Sequence, residues 1–188
     1  MLDLLLERKA AHGSRGEDRK TDNGLVPEGE GWYVLNARES SWLHTDELGV
    51  ACTFEGDVRF AEFGINVSVL DPGQPACMYH GEEAQEDFLV LAGECLVLIE
   101  GEERPLRKWD FVHCPPWTEH VFVGAGSGPC VILAVGTRGG ERGVLYPVSD
   151  LAQKHGAGVE KETSSPEEAY LAYERPRDGP YQDDFLPD

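Results

Sequence analysis

The segment from Pro72 to Glu94, PGQPACMYHGEEAQEDFLVLAGE, sets an imidazole among carboxylates at close spacing. His80 and Glu82 are two residues apart, so on a strand both side chains project from the same face. Glu86 follows four residues later, where a short turn would return it to their side. Far along the chain, Pro115-Pro116-Trp117-Thr118-Glu119-His120 places a second imidazole at the start of an apolar run. Imidazole nitrogen and carboxylate oxygen together suit a divalent transition metal: Zn, Mn, Fe, Ni or Co. Such a metal polarises a carbonyl or hydroxyl, or binds oxygen, while an unliganded group such as His113 or Glu119 moves protons. Each residue also has an ordinary reading. A lone His is usually a surface residue, and Glu82, Glu83, Glu86 and Asp87 read equally as a solvated acidic cluster. Glu82 is either a ligand or a carboxylate that orients a ligating His from behind. His113, in FVHCPP, is a satisfied half-buried His or an acid/base.

The elements that must position these groups are short strands. Val50–Phe54, Val58–Phe63, Ile65–Leu70, Asp87–Leu91, Cys95–Glu100, Phe111–Cys114, Glu119–Val123 and Cys130–Val135 are rich in Val, Ile, Leu and Phe. Turn signals separate them, among them Asp71-Pro72-Gly73, Gly101 and Pro115-Pro116. This rhythm predicts a sandwich or barrel, with no helix-length amphipathic segment inside it. Tyr79 should point away from the face that carries His80, whereas Met78, Phe88, Val90 and Phe122 share parity with a candidate ligand and line a cavity or plain core. Before the barrel, Leu2, Leu5 and Leu6 predict a short helix, Ser14 to Gly31 reads as a mobile linker, and Trp32–Asn36 as a first strand. After it, Ser149 caps a helix over Asp150–His155, and Ser165-Pro166-Glu167-Glu168 starts another that runs to about Tyr173. Gly179 to Asp188 is an extended arm.

With the candidate ligands laid out in order, the central part of the chain, about Ile65 to Val135, resembles the cupin family. Its first motif runs Gly, His-x-His, three or four residues, Glu, six residues, Gly. His80, Glu86 and Gly93 fill the first His, the Glu and the closing Gly with the six-residue gap intact. Its second motif runs Gly, five residues, Pro-x-Gly-x-x-His, three residues, Asn, and Pro115 and His120 match it in register. Fifteen residues, Glu94 to Lys108, separate the two motifs. Glu82 stands where the family has its second His. Trp109 and Trp117 replace glycines, and Gly124 replaces Asn. The resemblance implies an all-β, double-stranded β-helix barrel, jelly-roll-like, with short helical or extended arms at both ends. It divides the chain into an N-terminal helix and linker (1–31), the barrel (32–139) and a tail (140–188). It implies a metal site made by His80, Glu86 and His120, with Glu82 as the fourth donor, and a small organic ligand or substrate. Two functions follow: a metal-dependent enzyme (isomerase, dioxygenase or similar), or a non-catalytic sugar or metabolite binder or structural cupin. Fold cannot choose between them. Cupin barrels commonly pair, which implies a homodimer.

Composition narrows the partners. The 188 residues carry 16 Lys plus Arg against 35 Asp plus Glu, a net charge of -19. So acidic a surface repels nucleic acid and anionic membranes alike. No apolar stretch approaches the roughly 20 residues of a membrane helix. The charges after MLDLLLERKAAHG follow its short apolar run, the wrong order for a secretory signal, so the protein is expected in the cytoplasm. Five cysteines with no CxxC pair agree, as buried reduced thiols.

Overall fold

Alternating burial turns the middle of the chain into two-faced strands, and those faces decide how the sheets stack. The computed structural model describes residues 14–139 and 143–187. The helix expected around Leu2, Leu5 and Leu6 lies outside the described residues. In chain order the strands are β1 (Glu17–Thr21), β2 (Gly24–Glu28), β3 (Ser41–His44), β4 (Val50–Cys52), β5 (Phe63–Leu70), β6 (Gly81–Glu82) and β7 (Glu86–Ala92). They continue as β8 (Glu94–Ile99), β9 (Glu102–Arg107), β10 (Phe111–Cys114), β11 (His120–Ala125), β12 (Cys130–Thr137), β13 (Val144–Leu145) and β14 (Arg177–Pro180). Two short helices, α1 (Asp150–Lys154) and α2 (Pro166–Ala169), lie in the tail. No helix among the described residues is long and apolar enough to cross a membrane.

A seven-stranded sheet, in the order β10-β7-β12-β5-β4-β3-β14, faces a three-stranded sheet, β11-β8-β9. Leu70, Phe88, Val90 and Ile132 from the large sheet pack against Cys95, Val97 and Phe122 from the small one. Each such side chain contributes about 1.5–3 kcal/mol on burial. On the outer face of the large sheet, Val67, Val69 and Val131 lie under Trp42, Tyr181 and Phe185. The C-terminal tail therefore covers this outer face, and β14 pairs with β3 at its edge. All five cysteines are free thiols, four of them buried and Cys77 partly so.

Several local expectations change. The segment read as a mobile linker contains the hairpin β1–β2, turned by Asp22 and Asn23. The Thr21 hydroxyl fixes that turn, donating to the Gly24 carbonyl and accepting the Asn23 amide. Trp32–Asn36 forms no strand. Trp32 makes one bridge to Arg15, and Asn36 caps a single 3-10 turn, Ala37–Glu39. Only Phe63 of the expected strand Val58–Phe63 is in a strand, at the head of β5. The residues before it are organised instead by Glu55, whose carboxylate pairs with Arg138 and Arg59 and accepts the Phe60 amide. The charged β9 was not expected; it is an exposed edge strand that takes its register from β8. Ser149 and Ser165 cap α1 and α2 as expected. The second helix, however, stops at Ala169, because Tyr170 turns inward, where its hydroxyl oxygen accepts the Met78 amide.

Candidate metal centre

His80 and His120 face each other across one antiparallel bridge. The His80 amide donates to the His120 carbonyl at 3.2 Å, and the His120 amide to the His80 carbonyl at 2.8 Å. Residues directly opposite in such a pair project from the same face, and the two ring centroids lie 5.3 Å apart. Glu86 enters from the first position of β7, opposite Cys114 on β10 and Gly136 on β12. Its carboxylate is 3.4 Å from His120 Nε2. The donor atoms of His80, Glu86 and His120 all lie within 4.8 Å of one another. Thus two donors six residues apart and a third 34 residues further on are brought together.

The backbone also selects the tautomers. His80 Nδ1 bonds the Met78 carbonyl at 2.8 Å, and His120 Nδ1 bonds the Thr118 carbonyl at 3.0 Å. A carbonyl only accepts, so each Nδ1 carries the proton and each Nε2 keeps its lone pair. A carbonyl behind each imidazole is how ligating histidines are usually held. The site is dry on one side and open on the other. His120 is 3% exposed, with Phe88 and Phe122 against its ring, whereas the Glu86 side chain is 19% exposed. Burial, then the charge of Glu82, pushes the Glu86 carboxyl up to about 8. Burial, then His80, pushes His120 down to about 4. A desolvated carboxyl group against a buried imidazole, with the Nε2 lone pairs of both histidines free of the backbone, is a donor set that a divalent cation satisfies, so the residues fit the group they resemble.

The other candidates fall elsewhere. Glu82, on β6, is not among the three converging groups, although its charge is felt at Glu86, Cys77 and Tyr146. His113 lies on the outer face of the large sheet, half exposed, with Nδ1 2.6 Å from Asp87. Glu119 points the other way from His120, towards Tyr79 and Gly81. Tyr79 does turn away from His80, into an apolar cluster with Leu98 and Val121. Met78 is buried beside Tyr146, and Phe88, Val90 and Phe122 belong to the core between the sheets.

Trp109 and Trp117 hold left-handed backbone, at φ 77° and 70°, so the turns keep the conformation a glycine would give. The Trp117 amide donates to the Glu82 carbonyl at 2.8 Å, and its ring lies over Gly143. At Gly124 the reason for glycine is space: a Cβ there would meet the Asp71 carbonyl oxygen at 2.1 Å.

Two neighbours of the site were not singled out from the sequence. Cys77 Sγ lies 3.8 Å from His80 Nδ1, on the side away from Nε2. Tyr146 packs on His80 with ring centroids 5.7 Å apart, and Tyr170 packs on Tyr146 at 5.9 Å. Burial, then Cys77 and Glu82, pushes the Tyr146 hydroxyl up to about 12, against a hydrogen bond from Tyr170. Both tyrosines come from the tail, where no spacing tied them to the motif residues.

Residues 66–136 match the family model described as the cupin domain. A sugar phosphate isomerase from a cupin superfamily, from Silicibacter pomeroyi, matches in structure at TM-score 0.50 and 24% identity, over 54% of this chain and 67% of that one. A candidate sugar phosphate isomerase from Acidithiobacillus ferrooxidans matches at TM-score 0.48 and 26% identity, over 51% of this chain. The match spans 63% of that structure's chain. A Cupin 2 conserved barrel domain protein from Salinispora arenicola matches at TM-score 0.44 and 24% identity, over 50% and 79%. These likenesses concern the fold. No curated protein matches the sequence.

Proposed function

We propose, for a chain that carries a cupin domain over residues 66–136, a metal-dependent enzyme acting on a small organic molecule. His80, Glu86 and His120 hold a divalent transition metal (Zn, Mn, Fe or Ni), with Glu82 as a fourth donor or as the carboxylate that steers Glu86. The observation that carries this reading is the convergence of the three donors within 4.8 Å, with both imidazoles turned Nε2-inward by backbone carbonyls. When bound, the metal supplies Lewis-acid or oxygen chemistry. The chain's own residues fix the ligating tautomers, exclude water on the Phe88 and Phe122 side, and leave an approach past Glu86.

Isomerase, dioxygenase and related chemistries share such a site. The names of two structural neighbours make sugar phosphates an obvious first trial. Against a phosphorylated substrate, the side chains of the described residues that contact the three donors are Cys77, Phe88, Phe122 and Tyr146, none of them basic, and Glu82 adds further negative charge. Uncharged oxygen-bearing molecules suit the site better. One observation favours a second reading, non-catalytic binding of a sugar or metabolite: His113 and Glu119, the candidate proton carriers, face away from the donors.

The test begins with metal. Protein purified from metal-supplemented medium should contain a transition metal by elemental analysis. Added Zn, Mn, Ni or Fe should raise the melting temperature of the stripped protein by mass action, worth about 2.7 kcal/mol at a hundredfold excess over Kd. No metal and no shift would sink the reading. A competition assay on wild type, Glu82→His and Glu82→Gln then addresses the fourth position. Glu82→His should move preference towards Zn or Ni over Mn, and Glu82→Gln should cost roughly 10–100-fold in affinity. Identical affinities in all three would remove Glu82 from the site.

A further inference from the structure

The strand that follows His80 is partnered by the tail. Val144 pairs with Glu82 and Leu145 with Gly81, so continuing that register brings Tyr146 opposite His80. The rings agree with the register, tilted 34° with centroids 5.7 Å apart. Tyr146 is only 5% exposed, in a cluster with Met78, Val159 and Ala169 that a phenylalanine would fill as well. Its hydroxyl is therefore not needed for packing, and burying a hydroxyl costs free energy unless it is hydrogen-bonded.

The hydrogen bonds have a direction. The Met78 amide donates to the Tyr170 hydroxyl oxygen at 3.1 Å. That amide can only donate, so it anchors the Tyr170 hydroxyl, and Tyr170 packs edge-on against Tyr146 with ring centroids 5.9 Å apart. Tyr146 is thus held in place through the chain of contacts Met78, Tyr170, Tyr146. Its own proton is left for an acceptor that the described residues do not supply.

We infer that the tail completes the site: Tyr146, oriented by Tyr170, is a positioning residue that donates a hydrogen bond to an oxygen of the ligand held beside His80, Glu86 and His120. This rests on the metal-site reading above. The ligand class it selects is a small molecule with a carbonyl or hydroxyl oxygen next to its metal-bound group. Tyr146 and Tyr170 lie beyond residue 136, where the cupin-domain match ends, so the selection belongs to this chain's own tail.

The test uses Co(II) and acetohydroxamate, a small oxygen chelator, on the full chain. Co(II) affinity and acetohydroxamate affinity are read separately from the visible bands of the cobalt protein. Tyr146→Phe should bind Co(II) as the parent does and acetohydroxamate about 3–10-fold more weakly, the scale of one hydrogen bond. Tyr170→Phe should weaken acetohydroxamate in the same direction by less, and the exposed Leu171→Ala should change nothing. Melting curves establish folding; if Tyr146→Phe fails to fold, Tyr170→Phe carries the comparison. Equal acetohydroxamate affinity in parent and variant overturns the inference. So does a Tyr146→Phe protein that loses cobalt and acetohydroxamate together, which marks a structural role, or a cobalt-loaded parent that ignores acetohydroxamate. A parent that binds no cobalt overturns the metal reading itself, an outcome distinct from these.

Discussion

His113 and His120 lie seven residues apart yet have opposite surroundings, and those surroundings rank their importance. His120 is buried, backed by the Thr118 carbonyl, and 3.4 Å from Glu86. His113 is on the outer face and pairs with Asp87 near solvent. His120→Ala is therefore expected to abolish measurable metal binding, whereas His113→Ala should leave affinity within about threefold, since an exposed ion pair is worth roughly 0–1 kcal/mol. Calorimetric titration of both variants checks this, and equal losses would return His113 to the site. Trp109 and Trp117 carry a related lesson. The left-handed conformation costs a non-glycine residue about 1–2 kcal/mol, so the turns impose it on the side chain.

Among the elements, the loop after β4 is tied to the end of β12 by charge. The Glu55 side chain is fully buried and makes a two-pronged pair with Arg138, with Arg59 and the Phe60 amide as further donors. Burial alone would push its carboxyl up. The hydrogen bonds from Arg138, Phe60 and Arg59 outweigh that and hold it below the usual carboxylate range. The sign follows. A carboxyl with a folded pKa below its unfolded one stabilises the protein above the unfolded value, and loses that contribution as pH falls through the folded one. Glu55→Gln should therefore destabilise at pH 7, by on the order of 1–3 kcal/mol. The deficit should shrink as both proteins are taken down from about pH 4.5. Denaturant melts of wild type and variant across pH 3 to 7 measure it; a deficit that is the same at every pH would assign the loss to packing.

At the scale of the whole molecule, the C-terminal tail is used internally. β14 closes on β3, Tyr181 and Phe185 cover the outer face of the large sheet, and β13 pairs with β6 beside the site. Among the described residues, the edge at the other side of the large sheet is β10, which carries the exposed Phe111 and follows the exposed Trp109. A free edge with exposed aromatic residues favours pairing with a second copy. A homodimer is the expected state, and light scattering that shows one 20.7 kDa species over a wide concentration range would remove it. Because each chain carries a charge of -19, dimerisation should strengthen with salt.

What the sequence determined by itself is what depends on local chemistry and short spacing. The strands around Phe88, Val97, Phe122 and Ile132 were legible because period-two burial needs only neighbouring residues. His80, Glu86 and His120 were legible because their register around Gly93 and Pro115 resembles the cupin motifs. The caps Ser149 and Ser165 were legible because a cap is a contact over three residues. Tertiary structure decided the rest. Glu82 shares strand parity with His80, but parity says nothing of whether a carboxylate reaches the point where three other donors meet. The hairpin β1–β2 and the charged β9 depend on partners that composition does not reveal. Tyr146 reaches His80 only because β13 crosses back onto β6, a pairing of residues some sixty positions apart that no local pattern encodes.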